Sequence, residues 1–257
     1  MRKIHGTALV DVRAELGEDV EVGPYAVIGP HVRIGAGTRV MAHAVIDGHT
    51  TIGERCEIFP MASVGQKTQD LKYRGGVTYL EIGHDTVIRE FVTINTATNE
   101  GKKTVVGNHV LLMAYCHVAH ECVVGDHVIM ANVATLAGDV VVEDYAVLGG
   151  MAGVHQFCRI GRMAMVGACT KVVQDVVPYT IVDGNPAVAC GVNKVRMERV
   201  GLSEERQRAV VEAYKVIFRQ GLKAKEAVER LRAEFREYEE VQHMANFIER
   251  SGRGIVR

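Results

Sequence analysis

Two of the eleven histidines lie three residues apart, His117 and His120, in the stretch YCHVAHECVVG. Imidazole titrates near neutrality, so either ring can take up or release a proton in a reaction. A second polar run, KTQDLKY, places Gln69, Asp70 and Lys72 within four residues, either as substrate contacts or as a solvated loop pair. His155 and Gln156 stand together further on. The other histidines, such as His31, His43, His49, His84, His109 and His127, read as decoration of an outer surface. Six cysteines show no CxxC and no paired spacing, which suits a reducing compartment.

What must hold these groups is set by a repeat. From Ile4 an aliphatic recurs every six residues (Val10, Leu16, Val22, Ile28, Ile34), and of the 29 positions in that register to Val172 only Asp70, Gly76 and Glu100 are not large aliphatics. Four residues after each comes Ala, Val, Thr or Cys, with Arg74 and Leu80 as exceptions. Both registers point inward. Short strands joined by corners every six residues make a three-sided prism, about 18 residues per coil with parallel strands at ~4.8 Å: a hexapeptide-repeat parallel β-helix. Glycines just after the aliphatic (Gly17, Gly35, Gly53, Gly107, Gly125) are expected to supply unusual φ at the corners. Cys56, Cys116, Cys122 and Cys158 occupy the small inward register and read as packing, not as nucleophiles.

The stacking rule follows: residues 18 apart share a face on successive coils, so His120 stacks on Gly138 and Gly138 on Gln156. His117 and His120 fall outside both inward registers and can face solvent or a neighbouring chain. Two segments leave the pattern, roughly 66–80 and 95–105, and project as loops. Near Pro178 and the Gly184-Asn185-Pro186 turn the hexads stop. Ser203 is a candidate N-cap for a helix to about Arg219, and two further amphipathic helices are expected to reach Arg250. The division expected is therefore a β-helix over 1–185 and an α-helical C-terminal domain over 186–257, the tail folding back as a cap.

Thirty basic and thirty-one acidic residues leave a formal charge of −1, which provides no global field for nucleic acid or anionic membrane. No 18-residue apolar run and no leader pattern are present, so a cytoplasmic protein is expected.

The histidine pair, KTQDLKY at 67–73, ATLAG at 134–138, GGMAGVHQF at 149–157 and GVN at 191–193 resemble the UDP-N-acetylglucosamine acyltransferases, over nearly the whole chain. The resemblance implies a left-handed coil, which periodicity alone does not give, and the first step of lipid A biosynthesis: transfer of a (R)-3-hydroxyacyl chain from acyl carrier protein to the 3-hydroxyl of UDP-N-acetylglucosamine, without cofactor or metal. It implies His120 as general base and the Gly138 amide as oxyanion donor. Gln69, Asp70 and Lys72 become acceptor-sugar contacts, and His117, His155, Gln156, Asn193 and Arg199 further substrate contacts. Met165 and Ala168 lie where family members gauge acyl-chain length, and a residue larger than Gly at 168 is expected to shorten the pocket. A homotrimer with sites between neighbours is implied, and Lys171, Lys194, Arg196 and Arg199, with Arg159 and Arg162, could form a basic patch for acidic acyl carrier protein.

Departures from the family pattern are Glu121 where Asp commonly follows the base, Asn95 and Asp139 where relatives often carry His, and Pro186, Val195 and Val200. They leave room for a 3-amino acceptor. A γ-type carbonic anhydrase shares the fold but needs three converging histidines, and the 18-residue step puts Asn99, Lys102, Thr135 and Gly138 beside the pair. Relatives that N-acylate the next lipid A intermediate usually carry a domain before the helix, whereas here hexads begin at Ile4.

Overall fold

The computed structural model describes residues 3–257; Met1 and Arg2, within the expected 1–185 segment, lie outside the described residues. Strands of mostly two residues stack in parallel into three sheets of eleven, nine and eight strands, visited in rotation along the chain. We call them faces I, II and III. They wind as a left-handed parallel β-helix with helices at its C-terminal end. Inside, the aliphatic register is almost fully buried, as at Ile28, Ile46, Ile58, Ile94, Leu112, Leu136 and Leu148, and the small register fills the corners beneath it, as at Cys56, Cys116, Ala134 and Cys158. Each large side chain removed from water contributes about 1.5–3 kcal/mol, so one contiguous column of this kind supports a fold poor in aromatics.

The corner glycines do not do what their type suggests. Gly17, Gly35, Gly53, Gly107 and Gly125 keep negative φ, and the left-handed residue falls two positions later, on Asp19, Arg55, His109 and His127 among others. Glycine is required for closeness: a Cβ on Gly35 would lie 2.6 Å from the Gly53 carbonyl carbon, and one on Gly53 2.7 Å from that of Gly83. The coils touch backbone to backbone there.

Strand pairing gives each excursion its length. Ser63 pairs with Thr93, thirty residues on instead of eighteen, and Thr93 with His117, twenty-four on. Both insertions are multiples of six, which is why the hexad phase survives them. Both leave the corner between faces II and III, on adjacent coils, after Ser63–Gln66 and after Thr93–Asn95. One expectation fails here: Asn99 and Lys102 lie in the second excursion and are not coil neighbours of the histidine pair, a place taken for His117 by Thr93.

Beyond face III an antiparallel hairpin, Thr180–Asp183 with Val188–Val192, closes face I; a single copy of a strand pair carries no periodicity, and the sequence reading missed it. Four helices follow: α1 (Lys194–Arg199), α2 (Glu204–Phe218), α3 (Ala224–Glu234) and α4 (Glu239–Glu249), with the Ser203 side chain accepting from the Arg206 amide as N-cap of α2. They form a second core with Met163, Val177 and Tyr179 of the prism. The tail returns to the last coil, where buried Asp175 accepts from Val256 N and from Ser251 Oγ at 2.7 Å. Among the described residues no helix is long and apolar enough to cross a membrane.

Candidate active site

His120 sits at the corner between faces II and III, one coil beyond the second excursion. Its ring lies against Gly138 of the next coil so closely that a Cβ there would sit inside the imidazole. Glycine at 138 is therefore a condition of the histidine's position. Along the neighbouring corner, between faces III and I, the first amide of four successive turns is capped by the side chain stacked on it: Glu54 N by His84 Nδ1, His84 N by Asn108 Oδ1, Asn108 N by Asp126 Oδ1 and Asp126 N by Asp144 Oδ1, at 2.7–3.0 Å. Gln156, stacked on Gly138, makes no such bond, and among the described residues the Gly138 amide donates to nothing. A free N–H beside an imidazole is what an oxyanion next to a general base requires.

The carboxylates around His120 come from three segments. Glu121, in the left-handed conformation at φ 55°, folds back so that Oε2 lies 2.6 Å from His120 Nδ1. Its other oxygen accepts from Thr98 N, Asn99 N and Asn99 Nδ2 at 2.9–3.0 Å, all in the second excursion. Burial pushes the Glu121 carboxyl up, but those donors together with His120 outweigh it and hold it below its ordinary value. With the carboxylate on Nδ1–H, Nε2 is left as the basic nitrogen. Nε2 faces Asp70 Oδ2 of the first excursion at 3.7 Å, beyond hydrogen-bond reach and close enough to share a small substrate group. Asp139, next to Gly138, brings a third carboxylate within 4.8 Å of the His120 and Glu121 donor atoms; burial and Glu121 push it up.

The sequence-predicted residues divide into two groups. Asp70, Lys72, His117, His120, Gly138 and Gln156 share the II/III corner or the face beside it, with Lys72 N bonded to Asp70 Oδ1 and exposed Gln69 next to them. His117 meets Thr93 Oγ1 at 2.7 Å, a partner the sequence reading did not find, and burial pushes its imidazole below the ordinary value. His155 is exposed, its Nδ1 3.2 Å from Gln156 O. Asn95 is buried and points at the Gln66 and Lys67 carbonyls, where it anchors the first excursion.

Asn193 and Arg199 belong to another edge. Asn193 caps α1 and donates to Met163 O at 2.8 Å, and Arg196 of the same helix reaches the Tyr145 and His127 carbonyls, all on the III/I corner. Met165 is half-buried on face I and Ala168 exposed at the corner beyond it. The expected basic patch is smaller than its sequence. Arg159 is spent on Glu143 and the Phe247 ring, Arg162 on Asp144, and Arg196 on those carbonyls, while Lys171, Lys194 and Arg199 are exposed. The inward cysteines are buried, and burial pushes the Cys122 thiol up to about 12, far from a thiolate.

Comparison with known proteins identifies the family. The model of the "Udp N-acetylglucosamine O-acyltransferase; Domain 2" family matches residues 175–256, and the bacterial transferase hexapeptide model matches 13–48 and 103–138. Acyl-[acyl-carrier-protein]--UDP-N-acetylglucosamine O-acyltransferases of Myxococcus xanthus and Thiobacillus denitrificans are 48% and 49% identical over all of both chains. The chain belongs to the UDP-N-acetylglucosamine O-acyltransferase family. Solved members from Acinetobacter baumannii and Moraxella catarrhalis superpose with TM-scores of 0.95 and 0.96, at 44% and 42% identity and 99% coverage of each chain. The carbonic anhydrase reading is not favoured: the relatives that match are named as acyltransferases, and among the described residues no third imidazole joins the pair, His117 standing between Thr93 and Thr135.

Proposed function

We infer that the chain transfers a (R)-3-hydroxyacyl group from the thioester of acyl carrier protein to the 3-hydroxyl of UDP-N-acetylglucosamine, the first step of lipid A biosynthesis. The observation that carries this is identity near one half over the full length of enzymes so named, joined to the His120–Glu121 pair beside an unoccupied Gly138 amide. His120 Nε2 takes the proton of the acceptor hydroxyl as its oxygen attacks the thioester carbon, and Glu121 stabilises the imidazolium from the other side. The oxyanion of the tetrahedral intermediate is met by the Gly138 N–H. Collapse expels the carrier thiolate, which takes the proton back from His120. Gln69, Asp70 and Lys72 hold the sugar. His117, kept neutral by burial, is free to hydrogen-bond a substrate oxygen through its second nitrogen, with His155 and Gln156 as the next contacts.

The site of one chain is incomplete. Asn193 and Arg199 stand on the III/I edge and His120 on the II/III edge, so substrate contacts from both need a neighbour, as in a homotrimer. A ridge of exposed apolar residues along the remaining edge, Tyr25, Met61, Phe91, Tyr115, Val133 and Met151, supports such an assembly. Lys171, Lys194 and Arg199 are the cations left to engage the acidic carrier, Met165 and Ala168 the residues that gauge the acyl chain, and the compartment is the cytoplasm. We divide the chain into a catalytic prism over 1–185 and a helical domain over 186–257.

Purified protein supplied with 3-hydroxyacyl carriers of several lengths and UDP-N-acetylglucosamine should give the acylated sugar nucleotide by mass spectrometry. His120→Ala should lower the rate about 10²–10⁴-fold. Light scattering should give three chains per particle, and Ala168→Gly should move the preferred chain to greater length. Absence of wild-type product, with product from the 3-amino analogue instead, would reassign the acceptor atom.

A further inference from the structure

Thr98 makes two contacts in opposite directions. Its hydroxyl meets the Thr68 hydroxyl of the first excursion at 2.8 Å, and its amide donates to Glu121 Oε1 at 2.9 Å. Thr68 Oγ1 in turn accepts from the Asp70 amide at 3.1 Å. Glu121 holds His120 Nδ1, and His120 Nε2 faces Asp70 Oδ2. The contacts therefore close a ring: Asp70, Thr68, Thr98, Glu121, His120 and back to Asp70. Both threonines are buried, at 4% and 6% exposure, so neither hydroxyl has bulk water to replace its partner. Without this pair, the loop that carries Asp70 and the loop that grips Glu121 would be tied only at their bases, by Thr96 N to Gln66 O, the Thr78–Thr96 hydroxyls and Asn95 at one end, and by Gly101 N to Val77 O and Tyr79 N to Lys102 O at the other.

We propose that Thr98 and Thr68 are positioning residues, whose hydroxyl pair sets the spacing between the loop facing the acceptor sugar and the imidazole that deprotonates it. The proposal rests on His120 being the base. A general base works only within hydrogen-bond reach of its proton, and a displacement near 1 Å can cost about 10²-fold. A valine at either position keeps the volume and removes the hydroxyl. Thr98→Ser keeps the hydroxyl and loses a methyl.

The test is kinetic and structural together. Thr98→Val should lower kcat/KM for the sugar nucleotide about tenfold while KM for the acyl carrier stays unchanged, and Thr98→Ser should recover activity to within about twofold of wild type. Thr68→Val, which also removes the acceptor of the Asp70 amide, should lose at least as much as Thr98→Val, and the double variant should be no worse than Thr68→Val alone, because the Thr68–Thr98 contact is then already gone. Hydrogen exchange read by mass spectrometry gives a readout that needs no substrate: Thr98→Val, and also Glu121→Ala, should speed exchange in segment 67–78 as well as in 97–102. Independent, additive losses, no rescue by serine, or a change confined to 97–102 would overturn the proposal. Should Thr98→Val fail to fold, Thr68→Val carries the same comparison. If the wild-type protein does not acylate the sugar nucleotide, the functional reading fails, and the exchange measurement still decides whether the loops are coupled.

Discussion

Two edges of the same prism use one repeat for opposite ends. On the III/I edge the backbone is closely satisfied: glycines let coils touch, and His84, Asn108, Asp126 and Asp144 cap the corner amides of Glu54, His84, Asn108 and Asp126 in turn. On the II/III edge the chain inserts two loops, leaves the Gly138 amide open and gathers three carboxylates around one imidazole. Charge and unpaired donors cost stability when they stand alone. The strands of face III join the two edges, and their pairing fixes the His120 column to within the coil spacing. Function in this fold is placed by leaving the repeat unfinished.

The comparison is broken most severely at Glu121. Its Oε1 sits among three N–H donors, so Glu121→Gln must turn its carbonyl toward them and its NH2 toward His120 Nδ1. That forces the proton onto Nε2, where the base is needed, and kcat should fall on the order of 10³-fold, more than in Glu121→Ala, which leaves the ring free to choose its tautomer. The pH dependence follows from the same donors. A carboxyl held below its ordinary value keeps its charge, and the stability it brings, above that value and loses both as pH falls through the lowered one. The stability that wild type holds over Glu121→Gln through the Thr98 and Asn99 donors should therefore be retained from about pH 5 to about pH 8 and shrink only on further acidification. A melting-temperature difference that vanishes within that window would contradict the hold of those donors on the carboxylate.

Gly138 and Gly125 sharpen the contrast between edges. A Cβ at 138 meets the His120 ring, whereas a Cβ at 125 meets the Asp144 backbone nitrogen at 2.8 Å. Gly138→Ala should displace the His120 ring and crowd the open amide beside it, with a loss of about 10²-fold in kcat and little change in melting temperature. Gly125→Ala should do the reverse, destabilising by about 1–3 kcal/mol while folded molecules keep their turnover. Equal effects of the two substitutions on either quantity would mean that the edges are not specialised.

Most of this architecture can be read from the sequence because a β-helix writes each structural demand many times over. The inward registers, the loops and the stacking of His120 on Gly138 follow from period six alone. Features with one copy, the hairpin at 180–192 and α1, have no period to betray them. The glycine column was legible as glycine but misread in cause, since a sequence pattern does not distinguish close approach from positive φ. The grip of Thr98 and Asn99 on Glu121 is hidden for a different reason: an insertion whose length is a multiple of six conceals which coil absorbs it, so Asn99 looks like a stacked neighbour of His117 when it reaches across to the carboxylate beside His120. Charge was the poorest guide, because nothing in Arg159, Arg162 or Arg196 as letters says that each already has a partner.

That last difference gives the smallest expected effect. Arg162 is tied to Asp144 and Arg196 to two carbonyls on the capped edge, while Lys171 is exposed at the end of the face that carries His117. An acidic carrier protein approaching the prism gains from the unpaired cation and not from a guanidinium that must first abandon its carboxylate. Lys171→Ala should raise KM for the acyl carrier about threefold at low ionic strength, an effect that fades as salt screens it, with kcat unchanged. Arg162→Ala should leave that KM alone and lower the melting temperature slightly, as loss of a half-exposed ion pair does. A salt-insensitive KM in both variants would move the carrier off face II and onto the helical domain, where Lys194 and Arg199 are exposed.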